Sequence, residues 1–231
     1  MIKKILVCLW LILLFAFSCW AEAPLFDKVL SSSNIPELKQ LIQQLEQNKE
    51  GDVSLLLGIA YYNLCSLKQY QYLNQAMNLL DTVYKKTKNP LALGYYGSAV
   101  TLVGAQAASA KNLIVATTKV EEGSKLIDQA VQLDPNDIYI RVLRISNAVG
   151  VSESSPFNRY DIAKKDLAFL KSQESKLPDP IKSFYYLNQG KILFFEKKTN
   201  EAIDCFEKAA KIAPYSIYAK TALNLLDQLE E

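Results

Sequence analysis

The stretch that decides the fold is residues 183–214, SFYYLNQGKILFFEKKTNEAIDCFEKAAKIAP. In its second half, Ala202, Phe206 and Ala209 are separated by four and three residues, so they share one stripe of an α-helix. A stripe of small and apolar side chains can close against the preceding helix, and Pro214 marks the turn that follows. The stretch therefore predicts a helical hairpin.

The same triplet occurs three more times along the chain. Each copy has a small residue, a large apolar residue four positions later, and a small or apolar residue three positions after that. A proline turn follows every copy, and the copies begin at intervals of roughly 40 residues. The pattern predicts four stacked hairpins. The further triplets are Ala76, Leu80 and Val83; Gly123, Ile127 and Ala130; and Ala163, Leu167 and Leu170.

Residues 183–214 also match most of a known repeat signature. Gly190, Ala202, Phe206 and Pro214 stand at signature positions, and Tyr186 replaces the usual Trp. On these residues the stretch resembles a tetratricopeptide repeat, a helix–turn–helix unit of about 34 residues.

Two signature positions depart from the pattern in that copy, because Gln189 stands for Leu and Leu193 for Tyr. Residues 57–61, LGIAY, reproduce the missing Leu-Gly-x-x-Tyr part. The resemblance implies an all-α fold, a right-handed superhelical solenoid of about four irregular hairpins with capping helices at both ends. It also implies a scaffold that binds other molecules.

Both ends of the repeat region carry a further helical pattern. Near the N-terminal end, Asn34 and Glu37 form a candidate capping box at the start of a leading helix. Near the C-terminal end, residues 216–229 predict a capping helix. Its predicted packing stripe is Ala219, Leu223, Leu226 and Leu229.

Repeat periods above 34 residues predict enlarged turns inside some hairpins. Three segments fit this expectation: residues 68–73, 105–118 and 150–158, of which the second is long enough to extend its helix by several turns. Asn89-Pro90 and Asp179-Pro180 each pair a capping residue with a proline, which predicts a helix start at both places.

The first 21 residues have the pattern of a secretory signal peptide. Lys3 and Lys4 precede an apolar run over residues 5–17, and small residues stand one and three positions before Glu22. We therefore expect residues 22–231 to form the exported repeat domain, located in the periplasm or cell envelope. An alternative is a bacterial lipoprotein box at residues 16–19, which would make Cys19 the lipidated first residue of a membrane-anchored chain.

The charge balance and composition argue against several classes of function. Without the two signal lysines, 24 basic residues face 24 acidic residues, so nucleic acid or an anionic membrane is not expected as the main partner. The chain has no histidine, the usual general base and the commonest zinc ligand. We expect no enzyme activity, no cofactor and no metal site. Cys65 and Cys205 fall about three repeats apart, so we expect two unpaired, mostly buried thiols.

The remaining candidate site is the concave groove that the first helices of such repeats line. Gly58, Gly97, Ser146 and Gly190 serve as the close-packed small residues that set the register. Arg144 and Lys191 could hold a carboxylate there. A competing interpretation is that the aromatic residues pack against each other. The predicted groove residues are Tyr62, Tyr95, Leu143, Arg144, Asn147, Asn188, Lys191, Phe194 and Phe195.

Two functions remain open on the sequence. The first is a non-catalytic scaffold that binds a protein or peptide of the cell envelope in its groove. The second rests on overall layout: the signal and four irregular repeats resemble the periplasmic repeat lipoproteins that accompany TRAP-type solute transporters. That resemblance implies an accessory protein that binds a small apolar or carboxylate ligand in an enclosed cavity, and a cavity walled by residues 105–118 would favour it.

Overall fold

The computed structural model describes residues 28–30, 32, 34–48 and 52–230. Within them the regular elements are ten bounded α-helices and two short 3₁₀ helices, Tyr70–Tyr72 and Glu174–Lys176. The all-α prediction is therefore confirmed. The predicted signal peptide and the lipidation site at Cys19 lie outside the described residues. The α-helices are α1 Ile35–Gln47, α2 Ser54–Ser66, α3 Leu73–Thr87, α4 Pro90–Ser109, α5 Leu113–Leu133, α6 Ile138–Ser154, α7 Tyr160–Ser172, α8 Asp179–Phe195, α9 Thr199–Ile212 and α10 Ile217–Glu230.

Eight of these helices form the four predicted hairpins. The pairs are α2 with α3, α4 with α5, α6 with α7 and α8 with α9, and the first helix of each hairpin also contacts the first helix of the next. Because the second helix of each hairpin runs antiparallel to the first, all four hairpin turns lie at the same end of the stack. We call this end the turn edge. The helices α1 and α10 cover the two ends of this solenoid.

The repeated triplets form the contacts inside the hairpins. All twelve members are buried, and the larger ones, such as Phe206, are almost completely buried. Glycines at these contacts allow close approach of the two helices: a Cβ atom on Gly190 would lie 2.6 Å from the Phe206 ring, and one on the triplet residue Gly123 would lie 2.4 Å from the Gly97 carbonyl oxygen. The triplet pattern therefore predicted the hairpin contacts correctly.

The register of the third hairpin differs from the prediction. Ser146, expected as a close-packed small residue, is exposed. Its neighbour Ile145, together with Ala148 and Val149, forms the buried face that packs against α7. Because each residue turns a helix by about 100°, an error of one position changes which side chains face outward.

Two of the three helix starts that were predicted from capping residues are confirmed. The Asn89 side chain accepts hydrogen bonds from the amides of Leu91 at 2.8 Å and Ala92 at 3.2 Å, and Asn34 accepts one from the Glu37 amide at 2.8 Å. The prediction for Asp179 was wrong by one position, because α8 already includes it and its side chain pairs with Lys182 instead.

The C-terminal helix packs through a stripe that differs in one residue from the predicted one. Ala219 and Ala222 are fully buried, and Leu226 and Leu229 pack beside them. Leu223 was predicted in this stripe but is 48% exposed. The small alanines allow α10 to lie close to the fourth hairpin, and Leu223 then falls on the outer face.

The enlarged segments lie at the turn edge, as their periods predicted. Residues 68–73 contain a 3₁₀ helix, and residues 105–118 lengthen both α4 and α5, which reach 20 and 21 residues. We call residues 105–118 the hairpin tip. Three of the four turns carry a lysine with a left-handed backbone: Lys68, Lys111 and Lys197, with φ angles of 65°, 61° and 63°.

Two further expectations concern single features. Cys65 and Cys205 are unpaired, as predicted, and Cys65 is completely buried. Among the described helices, none combines the length and apolarity needed to cross a membrane.

Candidate functional site

Two of the predicted groove aromatics pack against each other. The rings of Tyr62 and Tyr95 meet edge to face with centroids 5.3 Å apart, and Tyr95 is only 6% exposed. Burial is the main reason that the pKa of Tyr62 is raised to about 12; a hydrogen bond with Ser98 lowers the pKa, and the phenol of Tyr218 from α10 raises it. Burial also raises the pKa of Tyr95, with Tyr62 and Tyr218 as further causes. The rings of Tyr62 and Tyr95 therefore cover each other in part, while Tyr62 remains partly exposed.

Three more predicted groove residues are buried in contacts of the protein's own. Leu143 belongs to the core of the first two hairpins. The Asn147 side chain accepts a hydrogen bond from Ser124 Oγ at 2.9 Å and donates one to Thr101 Oγ1 at 3.2 Å, which joins α4, α5 and α6. The Asn188 amide donates to the carbonyl oxygen of Phe184 at 2.9 Å within its own helix.

Arg144 forms an internal ion pair. Its Nε and Nη2 atoms donate to the two carboxylate oxygens of Asp166 at 2.6 and 2.7 Å, and Asp166 is completely buried. This two-point contact occupies the Nε–Nη2 edge of the guanidinium, which a bound carboxylate would otherwise use. The structure therefore assigns Arg144 to the packing between α6 and α7.

Further charged residues extend this ion pair into a network. Arg141 donates to the same Asp166 carboxylate and stacks on the ring of Phe169, with its guanidinium carbon 4.0 Å from the ring centre. Arg159 donates to both oxygens of Asp128 at 2.8 Å. No sequence pattern indicated this network, because its partners lie 22 to 31 residues apart along the chain.

The structure does bring together the remaining predicted residues, at the turn edge between the third and fourth hairpins. Phe194 and Phe195 end α8 and are 47% and 56% exposed. The ring of Phe195 lies 4.4 Å from that of Tyr160 at the start of α7, and Lys191 Nζ lies 3.2 Å from a carboxylate oxygen of Glu153. We call these five residues the junction patch.

The junction patch combines apolar surface with balanced charge. Burial raises the pKa of Tyr160, and the nearby carboxylate of Glu153 raises it further, which keeps the phenol neutral. Lys191 and Glu153 neutralise each other, so the patch offers hydrogen-bonding groups beside two exposed rings. Such a surface suits an apolar or aromatic side chain of a partner better than a free anion.

Two small clefts were also found. One of about 240 Å³ lies between α1 and α2, where the Tyr61 hydroxyl donates to Glu46 at 2.7 Å. The other, of about 300 Å³, lies at the turn of the fourth hairpin over residues 197–201. Neither of these two clefts is lined by the hairpin tip. In the described part of the chain, no three acidic or cysteine side chains are placed to hold a metal ion.

A family model for the tetratricopeptide repeat matches residues 185–216, which cover most of α8 and all of α9. The fourth hairpin is a tetratricopeptide repeat. No curated protein matches the chain. Together with the stacked hairpins, this match shows a helical solenoid of the tetratricopeptide type, a class of scaffold that generally mediates protein–protein interaction.

The position of the junction patch in this repeat is informative. Lys191, Phe194 and Phe195 all belong to the matched segment, whereas Glu153 and Tyr160 come from the preceding hairpin. The patch therefore depends on how the tetratricopeptide repeat stacks on its neighbour. No sequence signal marked Glu153 or Tyr160, because their contribution arises from packing between hairpins.

Proposed function

We propose that this chain is an exported, non-catalytic scaffold that holds a protein or peptide partner against the junction patch. The observation that carries the proposal is the pair of exposed rings, Phe194 and Phe195, at the end of a tetratricopeptide-repeat helix. Adjacent phenylalanines are costly to leave in water, and aromatic side chains are common anchors of protein interfaces.

The internal packing supports this location over the concave groove. Tyr62 and Tyr95 pack against each other, and Arg144 is bound by Asp166, so these groups make contacts within the chain. Phe195 is supported from one side by Tyr160, which fixes the ring and lowers the entropy lost on binding. A partner would cover the open sides of both phenylalanines and use Lys191 and Glu153 at the rim.

Site-specific crosslinking in the source cell would test the location. A photoreactive phenylalanine analogue replaces Phe194 in one variant and Leu223 in the control, which is similarly exposed at 48% but lies on α10. We expect a light-dependent adduct with one partner at position 194 and none at position 223. Adducts of equal yield at both positions, or none at position 194, would refute the junction patch as the interface.

Alanine substitution separates binding from folding at the same site. With Phe194→Ala and Phe195→Ala together, we expect at least a tenfold loss of affinity for the crosslinked partner, or about 1.4 kcal/mol. Because both rings are about half exposed, the melting temperature should change little. If instead stability falls by about 3 kcal/mol or more per ring, the rings are core residues and the proposal fails.

Export is the second part of the proposal, and it is supported by the two lysines and the apolar run that begin the chain. Mass spectrometry of the native protein should find a mature N-terminus at Glu22. A diacylated Cys19 at the N-terminus would instead support the lipid-anchored form of the protein. An intact Met1 in the cytoplasmic fraction would contradict export altogether.

The solute-transport accessory is supported less well by the side-chain geometry. Of the two cations expected to hold a ligand carboxylate, Arg144 is engaged by Asp166 and Lys191 by Glu153. A carboxylate ligand would have to displace Asp166 from Arg144, and at Lys191 it would have to share the ammonium group with Glu153. Covering the exposed rings of Phe194 and Phe195 with a protein or peptide partner requires neither change.

A further inference from the structure

The second hairpin forms a rigid arm that extends beyond its neighbours at the turn edge. Its first helix, α4, has 20 residues against 13 in α2 and 17 in α6, which corresponds to about 10 Å and about 5 Å of additional helix at 1.5 Å per residue. The two helices of the arm are in close contact: a Cβ atom on Gly104 would lie 2.8 Å from Val120 and 2.9 Å from the Ala116 carbonyl oxygen. The hairpin tip is therefore held at a fixed distance from the body.

The end of this arm exposes three consecutive apolar side chains. Leu113, Ile114 and Val115 are 71%, 81% and 38% exposed in the first turn of α5. Successive residues of a helix point about 100° apart, so the three side chains surround the end of the arm. Eleven of the fourteen residues of the hairpin tip are exposed, which shows that the body of the protein does not cover it.

The polar groups of the hairpin tip are already hydrogen-bonded within it. The hydroxyls of Ser109, Thr117 and Thr118 each donate to the carbonyl oxygen four residues earlier. The Asn112 side chain accepts from the Val115 amide at 3.3 Å, and the amides of residues 110–112 donate to carbonyl oxygens of α4. Removing these groups from water would therefore cost less than for a turn with open donors.

The charge around the hairpin tip has one sign. No acidic residue occurs between Asp81 and Glu121, and the tip itself carries Lys111 as its one charged residue. Lys111 forms no ion pair within the described residues, whereas Lys119 at the base is paired with Glu122. The whole-chain balance, which is near neutral, conceals this local arrangement.

We propose that the hairpin tip inserts end-on into the interfacial layer of a lipid bilayer that contains anionic lipid. Leu113, Ile114 and Val115 would enter the acyl boundary, and Lys111 would meet the lipid phosphates. Internally bonded hydroxyls, exposed apolar side chains and an isolated cation are the combination that a membrane surface accommodates. A protein partner would supply acidic or hydrogen-bonding groups for which the tip has few free counterparts.

A fluorescent reporter at the tip tests the proposal in the full chain. With Trp10→Phe and Trp20→Phe as background, Ile114→Trp places the sole tryptophan at the tip, and Leu223→Trp places it on α10 as the matched control. Vesicles of equimolar phosphatidylcholine and phosphatidylglycerol, with brominated acyl chains as quencher, are then added. We expect quenching and a blue shift for the reporter at position 114 and neither for the reporter at position 223.

The N-terminal apolar run could attach the chain to the vesicle, but it would do so equally in the Ile114→Trp and Leu223→Trp proteins. The difference in quenching between the two reporters would still report insertion of the hairpin tip. Equal quenching of the two reporters, or none at position 114, would overturn the proposal. Lys111→Glu in the Ile114→Trp chain should weaken the lipid partition of the tip by about tenfold. Concentration-dependent self-association that Ile114→Asp abolishes, without quenching, would instead assign the tip to a second copy and also overturn the proposal.

Discussion

The close contact between α4 and α5 makes Gly123→Ala a sharp test of the second hairpin. The new Cβ atom would lie 2.4 Å from both the Gly97 carbonyl oxygen and Thr101 Oγ1, and 2.7 Å from the Thr101 amide nitrogen. Two of these atoms belong to the backbone, so the clash cannot be relieved by a side-chain rotation. It would also disturb the hydrogen bond from Asn147 to Thr101.

The expected magnitude combines two opposing effects. Alanine in a helix interior is favoured over glycine by about 1 kcal/mol. Overpacking of this kind costs about 3 kcal/mol, so the net loss of unfolding free energy should be about 2 kcal/mol. For a chain of this length, that loss lowers the melting temperature by roughly 4–8 °C.

Thermal melts followed by circular dichroism would measure the change, with Gly150→Ala as the matched control. A Cβ atom on Gly150, in α6, would meet nothing within 4 Å, so the same substitution should stabilise the protein there by about 0.5–1 kcal/mol. The two variants should therefore shift the melting temperature in opposite directions. A Gly123→Ala protein that melts at or above the wild-type temperature would refute the close helix contact.

Three further predictions concern the ion network, the interior tyrosines and the last repeat. Asp166→Ala should cost about 3–5 kcal/mol in urea unfolding, because two arginines lose their buried partner, whereas Asp161→Ala on the same helix, whose side chain is 93% exposed, should change little. Because the pKa of Tyr62 is raised to about 12 in the folded state, the stabilisation from its neutral phenol is complete below about pH 10 and is lost as the pH rises towards 12. Tyr62→Phe should therefore reduce the fall in melting temperature over that range, and an unchanged fall would argue against the raised pKa of Tyr62. Ala202→Asp should destabilise the protein by several kcal/mol in a thermal melt, while the exposed Asn200→Asp should melt within a degree or two of wild type.

The sequence predicted the hairpins well because the second helix of each one is buried on a single face. Ala202, Phe206 and Ala209 lie on that face, and the polar residues between them point to solvent, so the periodicity alone determines the packing side. Local signals of the same kind, such as Asn89 before Pro90, also fixed several helix starts.

The first helices were harder to interpret because neighbours contact them on several sides. In α4, ten of 20 residues are buried, and apolar residues occur all around the helix. The helix α6, with seven of 17 residues buried, is similar, so periodicity cannot identify its outward face and the register at Ser146 was misplaced. The contacts that define the junction patch and the ion network join residues of different hairpins, as Tyr160 and Phe195 do, and depend on how the hairpins stack.

The lysines at the turns carry a consequence for protein engineering. Lys68, Lys111 and Lys197 adopt a left-handed backbone that costs an ordinary residue about 1–2 kcal/mol and costs glycine almost nothing. Replacing these lysines with glycine should therefore raise the melting temperature, and a screen for heat resistance would select such variants. The same screen would remove three positive charges from one edge of the molecule, so selection for thermostability and selection for adhesion to an acidic surface would favour different residues at these positions.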